Sequence, residues 1–422
     1  MKVIIQPSQI SGIIEAPASK SSMQRACAAA LIRKGETILH HPGNSNDDKA
    51  ALEIIANLGA EISFEQQSII IKSNGVQPIT NELNAFESGL SVRMFTFIAA
   101  LSSQLIHING VGTLLNRPMH FFEEILPQLS VIVESNNGKL PFKIKGPLKP
   151  ENIVMDASMS SQYLTGLLMA YSVAEISSPK TIRVTNLNSK PYIDLTLEVM
   201  KAFKLNVPIN HNYQTFEFQP KQNDNNDTID YVVEEDWSNA AFLLVAGALY
   251  GSLTVTGLSR NSMQADKQII EVLQLCGTEL NITNNQIEIR SSSLQSFQFD
   301  ATDCPDLFPP IVALASYCGG TSIIKGVNRL SHKESNRGLT LQEEFGKMGI
   351  EIVLEGDLMK IKGGKPSGTV IDSHNDHRIA MACSIAALGA SSIITIEKAE
   401  SVNKSYPTFY EDLKKLGVNI QS

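Results

Sequence analysis

The strongest constraint on this chain is an internal repeat. Residues 323–354 read as strand, turn, helix and strand. Ile323 and Ile324 open a strand, Lys325-Gly326-Val327-Asn328 turns, and Leu339, Leu341, Phe345 and Met348 fall at helical spacing. Gly349 closes the helix, and Ile350, Ile352 and Leu354 recur at the period of a half-buried strand. The same order appears at 38–62, 106–133, 184–207, from 254 to 277 and on, and at 393–420. An interval of about seventy residues marks each copy as a unit that cannot bury its apolar face alone. Six copies in 422 residues exceed one core, so the expectation is an α/β protein of two domains with three copies each. The polar, turn-rich run at 223–227 is the best boundary signal. Residues 1–14 read as a short strand pair.

Composition excludes several classes of function. A net charge of −8 and a pI near 5.6 argue against general nucleic-acid binding and against anionic membrane surfaces. The start, Met1-Lys2-Val3-Ile4-Ile5-Gln6-Pro7, has no apolar leader with a cleavage site, and the longest apolar run, 240–250, is too short to span a bilayer. A cytoplasmic protein is expected. The five cysteines lack C-x-x-C spacing and read as reduced, buried thiols. His374 and His377 flank Asp376 without a third ligand in reach, so no metal site is expected.

Most of the cations fall in one register of the repeat, at the turn entering a helix. Lys20 and Arg25 lie in the first turns of an Ala-rich helix, Arg93 follows Glu87-Ser88-Gly89, and Arg117 precedes Pro118 at a first helical position. Lys333 and Arg337 enter the helix of 323–354, Arg378 ends Asn375-Asp376-His377-Arg378, and Lys404 precedes Tyr406-Pro407. Cations at a helix N-terminus oppose its dipole, which points to bound anions. Gly89 permits close backbone approach. Ser158, Ser160, Ser161 and Gln162 offer more donors than one cap needs, as a phosphate site requires, and Ser189 to Tyr192 form another loop before a helix. Asp47 and Asp48 read as caps, and Trp237 as core. Asp306, just ahead of an apolar helix near Pro310, supplies acid–base groups beside the cations together with Glu334 and His377. Copies packed side by side would bring these helix ends to a cationic cleft in an acidic protein, suited to a small substrate with phosphate and carboxylate groups.

At these residues the chain resembles a known family. Ala16-Pro17-Ala18-Ser19-Lys20-Ser21, Ser160-Ser161-Gln162, Ser189-Lys190-Pro191-Tyr192, Arg260-Asn261-Ser262-Met263-Gln264, Lys333-Glu334-Ser335-Asn336-Arg337 and Asn375-Asp376-His377-Arg378 are similar, in order, to motifs of the EPSP synthases (3-phosphoshikimate 1-carboxyvinyltransferases). The resemblance implies an inside-out α/β barrel of six βαβαββ-type repeats, three per domain, with two crossovers. The expected domains are 15–228, and 1–14 with 229–422, with the active site in the cleft between them. It implies transfer of the enolpyruvyl group of phosphoenolpyruvate to the 5-hydroxyl of shikimate 3-phosphate by a monomer, without metal or organic cofactor. Carried onto this sequence, Lys20, Ser21, Arg25, Ser160, Ser161, Gln162, Ser189, Tyr192, Asp306 and Lys333 hold shikimate 3-phosphate. Lys20, Gly89, Arg117, Gln162, Arg337, Arg378 and Lys404 hold phosphoenolpyruvate. Asp306 is the expected base on the hydroxyl, Glu334 with Lys20 the expected proton-handling pair, and His377 a further acid–base group.

The chain departs from the family pattern in four places. Glu87-Ser88-Gly89-Leu90 stands for the usual Asn-Ala-Gly-Thr, Ala18 for a Gly, Arg329 for an Asn of some members and Asn336 for a frequent Asp. Two other readings compete. The sister enzyme acting on UDP-N-acetylglucosamine shares the fold, but its Gly-Ala-Lys-Asn start is absent here, and no cysteine sits in an Arg/Gly-rich loop. A binder of phosphorylated metabolites needs no Asp306, Glu334 and His377 beside its cations.

Overall fold

The computed structural model describes residues 1–220, 227–331 and 333–421; the polar run at 223–226 lies outside the described residues. The chain divides into two compact units, Ala18–Val233, and Met1–Pro17 with Glu234–Ser422. Each unit holds three four-stranded sheets built to one plan. In one of them Gln298–Asp300 runs parallel to Thr321–Lys325, with the helix Phe308–Ala315 as the crossover. The helix Arg337–Lys347 follows, then a hairpin of Glu351–Glu355 and Leu358–Lys362, whose second strand lies antiparallel to Thr321–Lys325. Each repeat is therefore longer than its sequence signature by a short parallel strand and a helix at its start and by the second hairpin strand at its end.

That extra helix escapes periodicity because it is apolar all round. Lys20–Ile32, Gly89–Ala99 and Ser161–Tyr171 in one unit, and Trp237–Tyr250, Phe308–Ala315 and His377–Ala387 in the other, are buried along nearly their whole length. A helix without a polar face belongs in a core. At Gly166 a Cβ would fall 2.8 Å from the Arg93 carbonyl oxygen and 2.8 Å from the Phe97 ring, so two of these helices meet backbone to backbone. The outer helices are amphipathic; Arg337–Lys347 buries Leu341 and Phe345 and exposes Leu339.

Residues 1–14 are not a strand pair. Lys2–Ile5 lies between Ile394–Glu397 and Ile420–Gln421, whereas Ile10–Glu15 runs parallel to Gly251–Thr256 in another sheet. The connection Gln6-Pro7-Ser8-Gln9 lacks the Gly or Asn that a tight hairpin turn demands, so each strand takes a distant partner. Ile229–Val232 fills the matching place in the other unit, parallel to Lys34–His40. Thus each unit receives one strand from near a point where the chain passes between units.

All five cysteines are buried and unbridged. Among the described residues no helix is long and apolar enough to cross a membrane.

Candidate active site

In the unit Ala18–Val233 the polar side chains at the starts of the inner helices are held by local ion pairs and hydrogen bonds. Ser19 caps the Lys20 helix by accepting the Ser22 N–H, which places Lys20 first in the helix. Its ammonium reaches the Asp47 carboxylate at 2.9 Å. Arg25, one turn on, is buried; its Nε donates to Thr196 Oγ1 at 2.9 Å, and its other nitrogens reach the Ser21 and Tyr192 carbonyls. Thr196 lies 3.1 Å from Thr165 of the Ser161 helix, so three helices meet at Arg25. Ser160 caps that helix through the Gln162 N–H, and the Gln162 side chain accepts Arg93 Nη1 at 2.8 Å.

Gly89 begins its helix beneath two guanidiniums. A Cβ there would lie 2.7 Å from Arg117 Nη1 and 3.1 Å from Arg93 Nη1. Arg117 does not precede a helix at Pro118: it ends the 3-10 turn Gly112–Asn116, and the next helix begins at His120 behind Met119. Ser189 is buried with φ of +57°, at the turn into Lys190–Ala202, with Pro191 inside the first turn of that helix.

The other unit gathers Asp306, Lys333, Glu334, Arg337 and Arg378. Asp306 lies in the 3-10 turn Pro305–Leu307, ahead of Phe308–Ala315. Its Oδ1 accepts Lys333 Nζ at 3.1 Å and Arg337 Nη1 at 2.9 Å, and its Oδ2 accepts Arg378 Nη2 at 3.1 Å. Burial alone would raise this carboxyl, but Arg378, Lys333 and Arg337 more than offset it and hold it well below the usual range. Burial also pulls the Lys333 ammonium below its ordinary value, an effect that Asp306 offsets only in part.

Arg337 is wholly buried and held by three carboxylates: Asp306, Glu334 at 2.6 Å, and Asp376 through Nε at 2.9 Å and Nη2 at 3.1 Å. Asp376 also caps the helix His377–Ala387 by accepting the Arg378 N–H. His377 is buried with Nδ1 3.8 Å from Asp376 Oδ1, and Lys404 is buried at the end of the 3-10 turn Ala399–Lys404. Behind this cluster Asp266 is fully buried, accepts the Ser238 hydroxyl, and is pushed up to about 6 by burial and the field of Asp306, with Arg378 opposing.

Sequence reasoning found the cations and two of the acids that hold them, Asp306 and Glu334, and missed Asp47 and Asp376 in that role. Asp47 read as a cap, yet Asp48 alone closes the capping box with Ser45, which leaves Asp47 for Lys20. Asp376 stood inside a quoted motif without a role, and Thr196 gave no signal. A cavity of about 630 Å³ in Ala18–Val233, lined by Ile32, Leu101, Ala174 and Phe203, lies where helices end and is remote from these groups. His374 of the H-x-x-H pair turns to Glu344 at 2.7 Å, whereas His377 faces the core beside Asp376.

Carboxylates matched to guanidiniums and an ammonium thus make up this cluster. A family model described as EPSP synthase (3-phosphoshikimate 1-carboxyvinyltransferase) matches residues 4–413. A 3-phosphoshikimate 1-carboxyvinyltransferase from Aeropyrum pernix is 33% identical over 425 residues, covering 100% of this chain and 97% of its own. One from Thermococcus kodakarensis is 34% identical over 415 residues, covering 98% and 100%. Among solved structures, an EPSP synthase from Acinetobacter baumannii superposes with a TM-score of 0.83 at 24% identity over the whole of both chains. The enolpyruvyl transferase NikO from Streptomyces tendae superposes with a TM-score of 0.79 at 15% identity, covering 100% and 98%. Those two likenesses establish the fold; with the family model and the full-length relatives beside them, the chain belongs to the EPSP synthase family.

Proposed function

We propose that this protein transfers the enolpyruvyl group of phosphoenolpyruvate to the 5-hydroxyl of shikimate 3-phosphate, releasing phosphate, in the shikimate pathway. The observation that carries the reading is the Asp306 carboxylate shared by Lys333, Arg337 and Arg378, in a chain whose full-length relatives bear that enzyme's name. The reaction adds a proton to the methylene carbon of phosphoenolpyruvate while the hydroxyl oxygen bonds to the neighbouring carbon. The tetrahedral ketal phosphate then loses a methyl proton and phosphate, restoring the double bond.

Asp306 serves as the base on the hydroxyl. With both oxygens engaged by cations it is a poor base, and a substrate carboxylate or phosphate that draws those cations away raises its basicity. Binding is therefore the step that arms it. Glu334 and Lys20 handle the proton at the methylene carbon, with His377 as a further acid–base group. Ser21, Arg25, Ser160, Ser161, Gln162, Ser189, Tyr192 and Lys333, with Lys20 and Asp306, hold shikimate 3-phosphate. Lys20, Gly89, Arg117, Gln162, Arg337, Arg378 and Lys404 hold phosphoenolpyruvate. Both units thus contribute residues to one reaction, in a cytoplasmic monomer needing no cofactor.

The test is phosphate release from phosphoenolpyruvate with shikimate 3-phosphate as acceptor and UDP-N-acetylglucosamine in parallel. Release with the first acceptor alone supports the reading; release with the second, or with neither, removes it. Asp306→Ala should lower kcat by about 100-fold or more, while calorimetry should find shikimate 3-phosphate affinity within about fivefold of the parent. A near-normal rate would take the role of base from Asp306.

A further inference from the structure

We infer that Glu87 is a positioning residue for Arg117: its side chain clamps the 3-10 turn Gly112–Asn116 and so fixes where Arg117 stands against Gly89. The inference rests on the reading of Arg117 as a phosphoenolpyruvate ligand.

Residues 86 and 87 grip the turn at two points. The Phe86 carbonyl accepts the Val111 N–H at 2.9 Å, and Glu87 Oε1 accepts the Thr113 N–H at 3.2 Å. Two glycines make the approach close enough. A Cβ at Gly110 would fall 3.1 Å from the Phe86 carbonyl oxygen, and one at Gly112, where φ is +58°, would fall 2.0 Å from Glu87 Oε1 and 2.8 Å from its Cδ. The turn then closes on itself, with the Arg117 N–H donating to the Leu114 carbonyl, and delivers Arg117 to within reach of Gly89. Gly89 follows Glu87 by two residues, so the clamp and the helix start are one rigid piece of chain, tied down further by Ser88, whose hydroxyl donates to Gln24.

The chemistry explains why an acid is tolerated beside a site for anions. A loose carboxylate there would repel an incoming phosphate, whereas one that accepts a backbone N–H is turned toward the turn. Its useful feature is the acceptor oxygen rather than the charge.

Two variants separate these. Glu87→Ala removes the acceptor, and Glu87→Gln keeps it without charge. Kinetics against phosphoenolpyruvate at saturating shikimate 3-phosphate are paired with amide hydrogen exchange of residues 111–117 in the free protein. Glu87→Ala should raise the KM for phosphoenolpyruvate roughly 5- to 20-fold, with kcat within about twofold and faster exchange at Thr113. Glu87→Gln should stay within about twofold of the parent in both readouts. Unchanged exchange in Glu87→Ala, or a Glu87→Gln variant as impaired as Glu87→Ala, overturns the clamp. A parent protein that releases no phosphate removes the proposed reaction, and the exchange comparison still decides the clamp by itself.

Discussion

At the scale of single residues, four of the site's cations are already matched to protein carboxylates. Lys20 has Asp47, and Lys333 and Arg378 have Asp306. Arg337 is shared among Asp306, Glu334 and Asp376. The cations were legible because they break a rule, standing at helix starts where stability alone disfavours them. Asp306 and Glu334 were legible beside them; Asp47 and Asp376 were not, because an Asp near a helix start obeys the rule for caps, and which cation it meets is decided by neighbouring elements distant in sequence. Gly89 was legible as a point of close approach, and geometry makes that quantitative. Gly89→Ala places a Cβ 2.7 Å from Arg117 Nη1 and 3.1 Å from Arg93 Nη1, so one guanidinium has to move. The expected outcome is a rise of about tenfold or more in the KM for phosphoenolpyruvate with a smaller change in kcat, since a misplaced ligand weakens capture first. An unchanged KM would show that Arg117 is not used for that substrate.

At the scale of elements, the outer helices were readable by their period, and the inner helices only as apolar or Ala-rich runs whose place in the repeat went unread. Leu341, Phe345 and Met348 announce an outer helix by spacing, but Phe308–Ala315 is apolar at nearly every position and has no period to detect. Helix starts carry their own energetics. Asp48 closes the capping box of Asn46–Asn57 with Ser45, accepting the Ser45 N–H at 3.0 Å, yet it is buried and its other oxygen has no hydrogen-bond partner. Burial, offset in part by Ser45, pushes it up to about 6 from 3.8. A carboxyl raised in the folded state is bound to its proton more tightly there than in the unfolded chain. Stability is therefore greatest below the unfolded value and falls as pH rises toward the folded one, after which it is flat. Asp48→Asn keeps an acceptor for Ser45 and abolishes this loss. The variant should gain about 1–3 kcal/mol at pH 8 and lose that advantage below pH of about 4, as urea titrations at the two pH values would measure. A gain of equal size at both would refute the electrostatic account.

At the scale of the whole molecule, the chain passes between its units twice, after Pro17 and after Val233. The unit Ala18–Val233 is continuous and owns all three of its sheets, including the strand Ile229–Val232. The other unit needs residues 1–17, because Lys2–Ile5 is the third strand of one sheet and Ile10–Glu15 an edge of another. Residues 18–233 made alone should thus unfold cooperatively in urea. Residues 234–422 alone should not, and a peptide of residues 1–17 added in trans should restore a transition. Cooperative unfolding of 234–422 without the peptide would mean that the two N-terminal strands are dispensable. The mixed α/β class was legible in the sequence; the placement of these strands was not, because pairing partners hundreds of residues apart leave no local pattern.

The same connectivity has a consequence in time. Chain is made at about 5–20 residues per second, so roughly 20–80 seconds separate the emergence of Lys2–Ile5 from that of its neighbour Ile394–Glu397. Within that interval residues 18–233 can close on themselves. Val3, Ile4 and Ile5 meanwhile wait as an unpaired apolar strand, open to any other free strand edge on a ribosome-bound chain. The segment that emerges early is among the last to be buried, and the speed of synthesis sets how long it waits.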